Sequence, residues 1–197
     1  MTNFPVLTHL LLATIVVTFI NFYFWFRADK SKAFNRLIFY LNIYLGTHAI
    51  FVFVVRHFLS AHIYLNRLAP FVLLYGPMLY IAIALIRYNK ITNKTLTKHL
   101  VIPSLFWLAF AILVVFIGKG GEFDKLYSIA LIVTTPISLV SYTIYGVSNI
   151  ALPDANLKRY KLVVLPAILL LLFMALISII APLYRQELME KRDAKDL

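Results

Sequence analysis

The chain has 197 residues, of which 62% are hydrophobic and only 14% charged, with a mean hydropathy of +0.86. A soluble domain is about half apolar and about a quarter charged, so a water-soluble globule is excluded and the excess apolar surface is expected to face lipid. The net charge of +11 would point to nucleic acid in a soluble protein, but here Lys and Arg lie between apolar runs, where they set orientation and meet anionic headgroups.

Six apolar runs of bilayer-spanning length fit into the chain with short connections. This predicts an all-α, polytopic membrane helical bundle of six transmembrane helices, a single domain over residues 1–184 with a charged tail at 185–197. The first span is expected at about 5–26. Met1 to Thr8 carries no Lys or Arg, and no small-residue cleavage site follows, so this run reads as a retained span and not a cleaved signal. Phe22, Tyr23, Phe24, Trp25 and Phe26 at its end suit the membrane interface.

The second span is expected at 37–59. Tyr40, Tyr44, Thr47 and His48 fall at i, i+4, i+7 and i+8 and so share one helical face. Gly46 beside them permits close helix approach. Arg56, His57, His62, Asn66 and Arg67 then punctuate an amphipathic connector, readable as a short interfacial helix or as an extension of the span.

The third span, 68–88, carries the Gly76-Pro77 break. Proline lacks a backbone N–H and disturbs the turn before it, which membranes tolerate where neighbours satisfy the freed carbonyl. A basic loop with Lys90, Lys94 and Lys98 leads to the fourth span, 99–118, which closes in the turn Gly118-Lys119-Gly120-Gly121. The fifth span, 126–149, bears a polar stripe at helical spacing: Thr134, Ser138, Ser141, Tyr142, Tyr145, Ser148 and Asn149, with a kink expected at Pro136. The sixth span, 162–184, contains Pro166 and Pro182. In the tail, Glu187 with Lys191 and Arg192 with Asp196 are i,i+4 pairs that suit a surface helical turn.

Orientation follows from the basic residues. The first, third and fifth connections carry eleven Lys and Arg and the second and fourth carry four. The odd connections are therefore expected in the cytoplasm and both termini outside it. The tail adds four more, balanced by four acids.

The acids restrict the chemistry. All eight lie in expected loops or in the tail: Asp29, Glu122, Asp124, Asp154, Glu187, Glu190, Asp193 and Asp196. Proton relays use buried carboxylates, and intramembrane metalloproteases need H-E-x-x-H, so neither can be built from these spans. The chain has no cysteine, hence no thiolate metal site and no thiol nucleophile. Ser138 and Ser141 have no base on their own helix. A haem would need two histidines at similar depth on different spans, and His48 has no such companion. His48 is instead expected to hydrogen-bond inside the bundle to a tyrosine of another span. No cofactor, no metal and no catalytic residue is expected. The stripe of the fifth span has two readings. One is interhelical packing, worth roughly 0.6–2 kcal/mol per contact. The other is a wall of a polar cleft for a small ligand, formed by Ser138, Ser141, Tyr142 and Tyr145, with Tyr40, Tyr44 and His48 opposite.

Leu74-Tyr75-Gly76-Pro77-Met78-Leu79-Tyr80, the basic loop, and then His99 and Pro103 resemble the multispan sensory module of membrane-bound AraC-type regulators of Bacteroidota. That module has a Gly-Pro-leucine-leucine-tyrosine run in its third span and a His-x-x-Pro opening its fourth. Here the second motif is one residue longer, His99-x-x-x-Pro103. The family also has a seventh span and a cytoplasmic helix-turn-helix domain that these 197 residues do not include, so DNA binding does not carry over. The resemblance implies a relative of the sensory half that acts through a partner. The expectation is a non-enzymatic, multi-pass protein of a bacterial inner membrane: a sensory or accessory subunit whose partners are the bilayer and a membrane protein or second copy, with no nucleic acid. The alternatives are a small-molecule or lipid carrier that uses the cleft between spans two and five, and a haem-binding redox subunit.

Overall fold

The computed structural model describes residues 5–29, 32–88, 90–117, 120–150, 161 and 164–180, and among these every regular element is helical. The helices are α1 (Pro5–Arg27), α2 (Ala33–His57), the short α3 (Leu65–Leu68), α4 (Val72–Tyr88), α5 (Asn93–Ile112), α6 (Glu122–Ile150) and α7 (Val164–Ile180). A 3₁₀ turn at Ser60–His62 precedes α3, and a π-helical stretch, Leu113–Ile117, prolongs α5. Among the described residues, five helical stretches are long and apolar enough to cross a membrane, and α7 is a shorter apolar helix. The chain is thus an all-helical bundle of membrane-protein character. The flanks of the expected sixth span, the connection holding Asp154, Lys158 and Arg159, and the charged tail lie outside the described residues.

Two element boundaries differ from those read in the sequence. The basic stretch before His99 is not a loop throughout: α5 starts at Asn93, so Lys94 and Lys98 stand on its first turns. The cause is local. The Thr92 hydroxyl caps the helix by accepting a hydrogen bond from the Thr95 amide at 3.2 Å. Likewise α6 begins at Glu122, which puts Glu122 and Asp124 in its first turn, where acids complement the helix dipole. Asp124 accepts from the Gly120 amide at 2.9 Å, and Gly120 holds φ +95°, a conformation that suits glycine.

α4 is the hub. It packs against α2, α5 and α6. Leu79, Ile83 and Ile86 form one core with Leu139 of α6 and Val164, Ile168, Leu171 and Ala175 of α7. Leu73 of α4 shares a second core with Phe71, Phe110, Leu113, Tyr127 and Leu131. Leu37 of α2 packs against Ile81 and Leu85 in a third. By contrast, none of the described side chains of α1 is buried. That helix rests along α2, through a seam of Leu11, Ile15, Thr18, Asn21 and Trp25 at three- and four-residue steps. Asn21 donates to Asn42 at 2.9 Å, Trp25 stacks on Phe39 at 3.9 Å, and a Cβ at Gly46 would stand 2.5 Å from the Thr18 methyl. The glycine is what lets the two helices close.

Candidate functional site

The polar residues expected on α2 and α6 do not face one another across a single cleft, because α4 packs between those helices. Successive residues of a helix turn by about 100°, so Tyr75, with Phe71 just before the helix, presents one side of α4 while Leu73, Pro77 and Tyr80 present another. On the first side, His48 Nδ1 bonds the Tyr75 hydroxyl at 2.6 Å, and its ring stacks on Phe71 at 4.3 Å. The Tyr44 hydroxyl donates at 2.8 Å to the Phe71 carbonyl, just before α4, which also accepts from the Leu74 amide at 3.3 Å. Tyr40, assigned to the same face by periodicity, is 58% exposed. The neighbouring cavity, about 350 Å³, lies between α2, α4 and α7 and is apolar apart from His48 and Tyr75. Both polar groups already satisfy each other, so this side reads as packing.

The second side of α4 is different. A cleft of about 410 Å³ lies between α4, α5 and α6. From α4 it takes Leu73, Pro77 and Tyr80, and from α5 it takes Lys98, His99, Ile102 and Pro103. From α6 it takes Thr134, Ile137, Ser138, Ser141, Tyr142 and Tyr145, which recur at three- and four-residue steps and so line one face. Four rings meet near the end of the bundle that carries the basic loop. Tyr80 lies against His99 with centroids 3.8 Å apart and against Tyr145 at 4.7 Å. His99 Nδ1 bonds the Tyr142 hydroxyl at 2.8 Å, bridging α5 to α6.

Gly76 makes this arrangement possible. A Cβ at that position would overlap the Tyr142 ring, whose Cγ and Cε2 would be 2.9 and 3.1 Å away. The Gly-Pro pair thus has a packing role as well as a backbone one: Gly76 admits the ring and Pro77 lines the cleft. Pro103 lines it from α5, and Pro136 lies within α6 between the lining residues Thr134 and Ile137. Each of the three wall helices therefore lacks one ladder hydrogen bond.

No family model, curated protein or solved structure matches the chain.

The ends of the cleft are held differently. At the basic end, Arg87 donates to the Asn149 side-chain carbonyl, and the Asn149 amide donates to the Tyr145 carbonyl at 2.8 Å, tying α4 to α6. At the other end, Tyr127 packs against Phe106, and its hydroxyl donates to the Leu68 carbonyl at 2.8 Å. Ser138 and Ser141 are wall groups, and the Ser141 hydroxyl donates back to the Ile137 carbonyl at 2.7 Å.

Of the site residues expected from sequence, Ser138, Ser141, Tyr142 and Tyr145 come together, and Tyr44 and His48 lie beyond α4 from them. Tyr80, Lys98, His99 and Arg87 were missing from the expected site. The signal for two of them was present: Tyr80 and His99 belong to the Leu74–Tyr80 and His99–Pro103 motifs, and Gly76, Pro77 and Pro103 of those motifs border the same cleft. His48 of α2 and His99 of α5 are engaged on different sides of α4 by different tyrosines.

Proposed function

We propose that this chain is a six-span, non-enzymatic inner-membrane protein, a sensory or accessory subunit that reads a small ligand in the α4–α5–α6 cleft and acts through a membrane partner. In this reading α7 belongs to the sixth span, the odd connections are cytoplasmic, and both termini are outside the cytoplasm. The observation that carries the proposal is the Tyr80–His99–Tyr142–Tyr145 cluster, set in a concave site whose three walls each hold a proline. Pockets for small ligands typically combine an apolar lining with a few convergent polar groups, and helices bend most readily at proline. A ligand that separates His99 from Tyr142 would therefore have a route to shifting α5 against α6.

Two features favour a receptor over a carrier. At the end away from the basic loop, Tyr127 ties α6 to Phe106 of α5 and to the Leu68 carbonyl, which holds the walls together there. In addition, Pro77, Tyr80, His99 and Pro103, four of the residues that carry the resemblance to the AraC-type sensory module, line the cleft. The partner reading is supported by α1, which rests on α2 and leaves Phe19, Tyr23, Phe24 and Phe26 exposed around it. The reading is non-enzymatic because, among the described residues, the wall hydroxyls and His99 have no carboxylate beside them in the cleft.

The test is purification of the tagged chain from its own cells in a mild detergent, followed by native mass spectrometry. A stoichiometric membrane partner or a second copy is the expected result. A solitary monomer, obtained under conditions that keep other membrane complexes intact, would refute the proposal.

A further inference from the structure

The ligand's chemistry can be narrowed from how the cleft is built along its length, on the basis of the ligand-reading function proposed above. Its polar groups are not scattered. α4 and α6 run parallel, with Gly76 beside Tyr142 and Leu79 beside Gly146, and α5 runs against them, with His99 beside Tyr80. Lys98, His99, Tyr80 and Tyr145 therefore share the basic end. Leu73, Pro77, Ile102, Pro103 and Ile137 carry the lining down toward the bundle's middle. One end is cationic and hydrogen-bonding, and the remainder is mostly hydrocarbon.

The charge is also one-sided. Among the described residues, Lys98 is the charged lining residue and no carboxylate lines the cleft. Among the described residues, Glu122 and Asp124 are the carboxylates of α6, and they stand in its first turn, at the opposite end of that helix from Tyr145. A cation on the wall without a nearby acid favours an anion.

The opening is lateral. Ile102 on α5 is 50% exposed and Ile137 on α6 is 61% exposed, although both line the cleft. α6 lies close along α4 but meets α5 sparingly, chiefly through the His99–Tyr142 bridge and the Tyr127–Phe106 contact. Between these two contacts the cleft faces outward through a slot with apolar lips, which in a membrane is the side occupied by acyl chains.

We propose that this cleft takes an anionic amphiphile from the side: its phosphate or carboxylate head sits at Lys98 and His99, and the first part of its hydrocarbon chain lies along Pro77, Ile102, Pro103 and Ile137. At about 410 Å³ the space is near the lower end of the roughly 300–1,000 Å³ of small-ligand pockets. It admits a head and part of one chain, and the rest of the chain stays in the bilayer between α5 and α6. The head group chemistry is shared by a membrane lipid and by a free anion, and the probes are chosen to tell them apart.

The test uses the full-length protein in a neutral detergent and follows its thermal unfolding while dodecyl phosphate, dodecylphosphocholine or inorganic phosphate is titrated in. Stabilisation by dodecyl phosphate alone is expected. Lys98→Gln should raise its half-saturating mole fraction about tenfold, the loss of one charge-assisted contact. Lys94→Gln, one turn away on α5 and also exposed, should leave it unchanged. Ile102→Trp, at the lip of the slot, should weaken the response without lowering the unfolding temperature of the ligand-free protein. An equal response to inorganic phosphate would assign a soluble anion and overturn the amphiphile. An equal response to dodecylphosphocholine, or equal losses in Lys98→Gln and Lys94→Gln, would overturn the site. A partner that co-purifies with a protein indifferent to dodecyl phosphate would sink this inference and leave the sensory function standing. A dodecyl phosphate response in a protein that proves to be a solitary monomer would do the reverse.

Discussion

Replacing Gly76 by alanine is the sharpest perturbation the bundle offers. The added Cβ would lie within van der Waals overlap of the Tyr142 ring, with Cγ at 2.9 Å and Cε2 at 3.1 Å. The ring is not a flexible tip, because its hydroxyl is held by His99 at 2.8 Å. Either the ring rotates and gives up that bond, or α4 and α6 separate. Overpacking of this kind costs about 1–3 kcal/mol, and an interhelical hydrogen bond in a membrane protein is worth roughly 0.6–1.7 kcal/mol. The preference of helices for alanine over glycine returns about 1 kcal/mol. The net expectation is a loss of roughly 1–3 kcal/mol, or a fall in apparent unfolding temperature of about 2–12 °C for a chain of this size. The assay is differential scanning fluorimetry in mild detergent, run as a double-mutant cycle with Tyr142→Ala. In the Tyr142→Ala background the obstacle is gone, so Gly76→Ala should be neutral or slightly stabilising, a strong positive coupling between the two positions. If Gly76→Ala lowers the unfolding temperature equally in both backgrounds, the close approach of Gly76 to Tyr142 is not what glycine provides, and the account of how the cleft is formed is wrong.

Three further outcomes are expected. Tyr75→Phe keeps the ring and removes the 2.6 Å bond to His48; it should cost about 0.6–2 kcal/mol in thermal unfolding and leave the dodecyl phosphate response of the cleft across α4 intact. Because the chain has no cysteine, Thr18→Cys combined with Gly46→Cys gives a single possible crosslink. The Thr18 Cβ lies 3.1 Å from where the residue 46 Cβ would be, near the 3.5–4.5 Å that disulfides need, so mild oxidation should give a shifted band on a non-reducing gel, and no shift would contradict the α1–α2 seam. Orientation is checked by single cysteines at Ser60 and Lys94, both exposed: a membrane-impermeant maleimide applied to intact cells should label Ser60→Cys and spare Lys94→Cys, and the reverse pattern would invert the proposed topology.

Much of this protein was legible before folding was considered. Helix identity is a local property, because a backbone in lipid must satisfy its own hydrogen bonds. Runs of apolar residues therefore showed where helices form, while the starts of α5 and α6, set by the Thr92 cap and by Glu122 and Asp124, lie earlier than those runs indicated. Periodicity went one step further: the α6 stripe from Thr134 to Tyr145 lines one cleft because a helix face is written in its spacing. Periodicity stopped where neighbours begin. Tyr40 shares a turn with Tyr44 yet is exposed, because α1 and α4 cover only part of the circumference of α2.

Tertiary structure alone decided that α4 stands between the two polar stripes, and that His99, Lys98 and Tyr80 complete the α6 wall. The reason is physical. Which faces meet depends on where bulk is missing, here at Gly46, Gly76 and Gly146, each of which lies against a side chain of a different helix. A glycine in a sequence declares that it has no side chain, and only the packed bundle shows whose ring or methyl group takes the space.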